Sequence, residues 1–146
     1  MQLTQYTDYS LRVLVYLGMK NDGRATITEL ADYYQISRNH LVKVVHNLAQ
    51  QQLILTQRGK NGGMSLARPA NQIKVGDVVR LTEPNFHIAE CFNNVSNKCV
   101  LTPNCRLKSI LYQANVAFLT ILDNYTIADS IVGLTVFKPD NSHAQG

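Results

Sequence analysis

Residues 26–50, TITELADYYQISRNHLVKVVHNLAQ, decide the fold of this 146-residue chain. Thr26-Ile27-Thr28-Glu29 reads as a helix start: a Thr oxygen for a free backbone N–H, and a Glu that reaches back to the cap. That helix is expected to run to about Tyr34. Gln35-Ile36 makes a short turn, and Ser37 is a second N-cap. Leu41, Val44, Val45 and Leu48 then share one helical stripe, while Arg38, Asn39, His40, Lys43 and Asn47 take the other face. Helix, short turn, polar-faced helix is the helix-turn-helix pattern, in which the second helix enters a DNA major groove.

Both flanks extend that pattern. Upstream, Leu11, Leu14, Val15 and Tyr16 predict a first helix over residues 5–20, ended by Asn21-Asp22-Gly23. Downstream, Leu53 to Arg58 reads as a strand, residues 59–63 as a Gly-rich turn and Met64 to Ala67 as the returning strand. This hairpin is a wing, and a short helix follows near Gly76–Leu81. Thr28, Ser37, Arg38, Asn39, His40, Lys43 and Asn47, with Arg58, Lys60 and Asn61 on the wing, are the candidate DNA contacts.

Charge agrees with this partner. Residues 1–80 hold ten Lys and Arg against five Asp and Glu, whereas residues 81–146 hold four against five. The basic half is the half expected to meet a polyanion. No apolar run approaches the ~18 residues that cross a bilayer, and no secretory signal is visible. A cytoplasmic protein without a membrane partner is expected. No nucleophile–base pair, phosphate-cradling loop or paired carboxylates point to an enzyme.

Periodicity disappears from Glu83 to Leu101, where Asn93, Asn94, Ser96 and Asn97 make a polar loop. A loop of that length needs a reason, such as a bound ligand or disorder. Thr102-Pro103 is expected to start the next helix. Leu107, Ile110, Leu111, Ala114, Ala117, Phe118, Ile121 and Leu122 then recur at near-heptad spacing for about five turns, too wide a stripe for a helix without a partner. This is the expected dimerisation helix. A short terminal helix is expected over Thr126–Val132, and the tail after Lys138 reads as frayed.

The expected architecture is mainly α: a winged helix-turn-helix domain with a two-stranded wing over residues 1–82 and a ligand-binding loop over 83–103. A dimerisation helix and short terminal helix follow over 104–132, then a flexible tail over 133–146.

All three cysteines, Cys91, Cys99 and Cys105, fall within that loop and its exit, spaced C-x7-C-x5-C. In a reducing compartment such a cluster points to metal or redox sensing rather than a structural disulfide. Thiolates suit iron–sulfur clusters or zinc, but the lack of a C-x-x-C argues against a zinc ribbon. Lys98, Arg106 and Lys108 flank the sulfurs and favour their charged form, as does a place for Cys105 in a helix's first turn. A four-point site lacks one ligand. His87 is the local candidate and Asp8, on the first helix with Arg12 one turn later, a distant one.

Met1-Gln2-Leu3-Thr4, Thr7-Asp8-Tyr9, Ser37-Arg38-Asn39-His40-Leu41, Arg58-Gly59-Lys60-Asn61-Gly62-Gly63 and Asp123-Asn124-Tyr125-Thr126 together resemble a family of dimeric winged-helix regulators that bind iron–sulfur clusters. The similarity is closest to its nitric-oxide-sensing branch and runs from Met1 to about Asp129. The resemblance implies that Cys91, Cys99 and Cys105 ligate one 2Fe–2S or 4Fe–4S cluster per subunit. It implies further that Asp8 of the partner subunit is the fourth ligand, with Arg12 beside it. The branch that senses cluster supply uses a His three residues after the last Cys, where this chain has Lys108. The expected function is therefore a homodimeric repressor. It holds a double-stranded operator while its cluster is intact and releases it when nitric oxide attacks the cluster. The alternative is a winged-helix regulator whose thiols sense oxidation directly, without a cluster.

Overall fold

The computed structural model describes residues 1–20 and 22–135; Asn21 and residues 136–146, with most of the expected tail, lie outside them. Helix α1 spans Gln5–Met19, α2 Ile27–Tyr34, α3 Arg38–Gln50, α4 Val75–Thr82, α5 Arg106–Asp123 and α6 Ile127–Ser130. Strands β1 (Ile54–Gln57) and β2 (Gly63–Leu66) form one antiparallel hairpin, with Ile54 opposite Leu66 and Gln57 opposite Gly63. The mainly helical winged helix-turn-helix with a two-stranded wing is present.

Local chemistry accounts for most boundaries. Thr4 Oγ1 accepts the Thr7 N–H at the start of α1, and Ser37 Oγ accepts the His40 N–H at the start of α3. Leu41, Val44, Val45 and Leu48 are all buried, as the stripe predicts. They join Val13, Leu14, Tyr16, Leu30, Leu53, Met64 and Ile73 in a single core beneath the three N-terminal helices and the wing.

Two expected caps differ. Thr26 does accept the Glu29 N–H, but the Glu29 carboxylate does not return to the cap. Its Oε1 instead accepts from Tyr16 Oη at 2.7 Å and Lys20 Nζ at 2.6 Å. Desolvation raises the Glu29 pKa, yet the bonds from Lys20 and Tyr16 outweigh it and hold the carboxyl below its usual range. Charge-assisted bonds from Tyr16 on α1 and Lys20 just beyond it are worth more to this carboxylate than one backbone N–H. The second correction concerns α5. Thr102–Asn104 forms a separate 3-10 turn, and α5 starts only at Arg106. Cys105 is its N-cap, in extended backbone, and Sγ accepts the Lys108 N–H at 3.4 Å.

The apolar stripe of α5 divides between two neighbours. Leu111, Phe118 and Leu122 are half-buried, and α5 packs against α4. Leu107, Ile110, Ala114, Ala117 and Ile121 remain exposed. No α5 residue is fully buried within one chain, so the outer stripe is free for a partner.

Helix α6 goes the other way, back into the head. The Ile127 N–H donates to Ile73 O at 2.9 Å, Lys74 bridges to Thr126, and the Ile127 side chain is wholly buried in the core. Ile127 and Ile131 also lie against α1 at Gly18. Ile127→Ala is therefore expected to destabilise the N-terminal head by about 2–4 kcal/mol, from a residue that follows α5 in sequence. Urea unfolding followed by far-UV circular dichroism checks this; an unchanged midpoint would contradict it.

Candidate nucleic-acid interface and metal centre

Two short helix starts face the same side. Ser37, Arg38, Asn39, His40 and Lys43 are all exposed at the N-terminal half of α3, and Thr28 is exposed at the start of α2. Arg38 Nη1 donates to Thr28 Oγ1, which ties the two starts together. Asn47 departs from this set: it is half-buried, and its Oδ1 is enclosed without a hydrogen-bond partner. It lies at the inner edge of the polar face, about two and a half turns from the helix start.

Arg58, Lys60 and Asn61 are exposed at the wing tip. A contact absent from the sequence reading braces them. Arg24 Nη1 donates to the Asn61 carbonyl at 3.0 Å, and Ala25 exchanges backbone bonds with Met64 at 3.0 and 2.7 Å. Gly63 makes this approach possible: its φ is +146°, and a Cβ there would stand 2.9 Å from the Ala25 carbonyl oxygen. The wing is thus fixed to the turn before α2. Nothing local to Arg24 announces this role, because its partner lies 37 residues away.

Asp8 and Arg12 form a two-pronged ion pair along α1, with Nε to Oδ1 at 3.0 Å and Nη2 to Oδ2 at 2.8 Å. The bond to Asp8 raises the Arg12 pKa above its ordinary value. The guanidinium lies over the rings of Tyr34 and Tyr9, 5.8 and 6.0 Å from their centroids. Burial pushes the Tyr34 phenol up to about 12, so it remains a donor, and it bonds to the Arg12 carbonyl at 3.0 Å. Tyr9 in turn sits 6.2 Å from the His40 ring on α3. Asp8 and Arg12 therefore rest against the turn of the helix-turn-helix, where Gln35 takes a left-handed φ of +53°.

The cysteine loop is held by its own polar side chains. Asn85 Oδ1 accepts the His87 N–H, Asn93 Oδ1 the Val95 N–H, and Asn97 Oδ1 the Cys99 N–H, at 2.9, 3.0 and 3.0 Å. Glu90 Oε1 accepts the Lys98 N–H at 2.7 Å, and Asn115 on α5 donates to Phe86 O at 3.0 Å. The polar residues that read as featureless loop are its framework, by the local side-chain bonding these residues favour.

Cys91, Cys99 and Cys105 are free thiols of intermediate burial. Among the described residues no three His, Cys, Asp or Glu side chains gather as a metal site. Donor type nonetheless fits an iron–sulfur cluster: three soft ligands on one segment held by hydrogen bonds rather than by core packing. Asp8 lies in a cleft with Gln5, Tyr34 and Ile36, apart from the sulfurs of its own chain. His87 lines a different, largely apolar cleft with Leu3, Phe86 and Phe118. No helix of the described residues is long and apolar enough to cross a membrane.

The profile of the Rrf2 family, described as iron-dependent transcriptional regulator, matches residues 3–132. The HTH-type transcriptional regulator NsrR of Oceanobacillus iheyensis is 48% identical over 132 residues, which is 90% of each chain. Its namesake in Bacillus subtilis is 46% identical over 132 residues, again 90% of each. Among solved structures, CymR (YrzC), the global cysteine regulator of B. subtilis, superposes with a TM-score of 0.75 at 23% identity, covering 92% of this chain and 98% of that one. IscR of T. potens gives a TM-score of 0.71 at 22% identity, covering 90% and 87%.

Proposed function

The chain belongs to the Rrf2 family of iron-dependent transcriptional regulators, regulators and not enzymes, and from that premise we propose that it is a dimeric repressor whose hold on DNA depends on an iron–sulfur cluster and is relieved by nitric oxide. The observation that carries the proposal is the seat of Asp8: its pair with Arg12 rests on the turn between the two DNA-reading helices. Similarity to proteins named NsrR supports nitric oxide as the signal.

A dimer presents two α3 helices to successive major grooves, about one duplex turn apart. Cys91, Cys99 and Cys105 would hold the cluster, which when bound supplies the iron that nitric oxide attacks. Asp8 of the partner subunit would complete the ligand set. A carboxylate is a hard donor on a soft site, so it exchanges readily. As a ligand it would be withdrawn from Arg12; released, it would be free to re-form the ion pair, with Arg12 over Tyr34 and Tyr9. One residue thereby links the thiol loop of one subunit to the reading head of the other.

Protein purified without oxygen is expected to be coloured, to contain iron and sulfide, and to bind a duplex it has selected from a random pool. Nitric oxide is expected to change its absorption and release the duplex together. An iron-free, colourless protein that binds the same duplex and ignores nitric oxide would overturn the proposal. Release by oxidant that dithiothreitol reverses, with Asp8→Ala harmless, would favour the thiol-only alternative.

A further inference from the structure

Arg80 on α4 and Asp123, the last residue of α5, meet across 43 positions of sequence in a two-pronged pair, Nη1 to Oδ1 at 2.5 Å and Nη2 to Oδ2 at 2.7 Å. The carboxylate lies directly over Gly76. A Cβ there would fall 1.9 Å from Asp123 Oδ1 and 3.0 Å from Arg80 Nη1. Gly76 is the second residue of α4, and its φ is not among the positive ones. Its backbone needs no glycine; only the seat of the carboxylate does. A glycine in the first turn gives α4 no advantage over alanine, and an exposed ion pair adds little in return. Stability does not account for this arrangement, and geometry does.

We infer that Gly76, Arg80 and Asp123 form a clamp that fixes α5 at one angle to the head and so sets the distance between the two recognition helices of the dimer. The inference rests on the reading above that the protein binds DNA as a dimer. Near this end of α5 the chain has two other ties to the head, Val75 N–H to Tyr125 O and Ile127 N–H to Ile73 O, both at 2.9 Å. Those ties hold position. The Arg80 fork, one turn further along α4, supplies a third point, and three points fix an orientation. Arginine suits this because its planar fork grips a carboxylate in one plane, where an ammonium would let it swivel.

The lever is long. Eighteen residues make α5 about 27 Å. A tilt of roughly 10° moves its far end by about 5 Å, more than the roughly 3.4 Å between base pairs. The outward stripe of Leu107, Ile110 and Ile121 is separate from the clamp, so the dimer contact itself survives its loss. Arg80, Asp123 and Gly76 are thus positioning residues; none touches DNA in this scheme.

The test uses the full chain, purified without oxygen, and the duplex that the wild type selects from a random pool. Companion duplexes carry one base pair inserted or removed at the centre. Wild-type protein is expected to bind both companions more weakly. Asp123→Asn, Gly76→Ala and Arg80→Lys are expected to sediment as dimers with the wild-type absorption spectrum. Each should lose about tenfold in affinity for the selected duplex, and the penalty for altered spacing should flatten. Arg80→Lys keeps the charge without the fork, so its behaving like wild type would overturn the clamp. Wild-type affinity in all three variants, or an equal loss on every duplex, would overturn it too. If the wild type selects no duplex, the DNA-binding reading fails and takes the clamp with it.

Discussion

Cys105→Ser is expected to give a colourless protein whose operator affinity falls by about a hundredfold, while its fold is kept or slightly stabilised. The two halves of this result come from two roles of one atom. Sγ of Cys105 caps α5 by accepting the Lys108 N–H. Serine is among the preferred N-cap residues, so the helix start survives. Serine is no substitute for a thiolate, because its hydroxyl is harder and stays protonated at neutral pH. A purely structural account of Cys105 predicts the reverse: no loss of function and no change of colour. Absorption spectra, iron counts, thermal unfolding and a gel-shift series on one preparation separate the cases. Retained colour and retained DNA affinity in this variant would end the cluster proposal.

Ile110→Glu combined with Ile121→Glu is expected to yield folded monomers whose operator affinity falls by about a thousandfold. Ile110 and Ile121 are 53% and 59% exposed, and eleven residues places them on one side of α5. Neither belongs to the core of the head, so the head should unfold at its usual midpoint. A dimer couples the second half-site to the first at high effective concentration, and a monomer loses that coupling. Sedimentation equilibrium with circular dichroism and a gel shift checks all three parts. A variant that remains dimeric would move the interface to another surface.

The reading head was legible in the sequence because its determinants are local. Thr26 and Ser37 cap the next turn of chain, and Leu41, Val44, Val45 and Leu48 repeat at the helical period, so both helices and the turn between them follow. Basic and polar side chains at the start of α3 could likewise be read as one surface, with the exception of Asn47. Its enclosed Oδ1 depends on neighbours that the helical period does not specify. For the cysteine loop, composition indicated which atoms matter but not how the chain holds them. Asn85, Asn93 and Asn97 each bond a backbone N–H two residues on, an arrangement with no periodic trace.

Neighbouring residues alone specify the winged helix-turn-helix, the exposed basic and polar face of α3, the trio of sulfurs and the outward stripe of α5. Each is a matter of what a residue does within a turn or two of its own position. Long-range packing is what gives Glu29 to Tyr16 and Lys20 instead of its cap, returns Ile127 to the core of the head, sets Arg24 to brace the wing and seats Asp123 on Gly76. Those partners stand from 9 residues apart, for Lys20 and Glu29, to 109, for Gly18 and Ile127. Competition among several chemically adequate partners is resolved by packing, which brings one of them within reach and leaves the others in water.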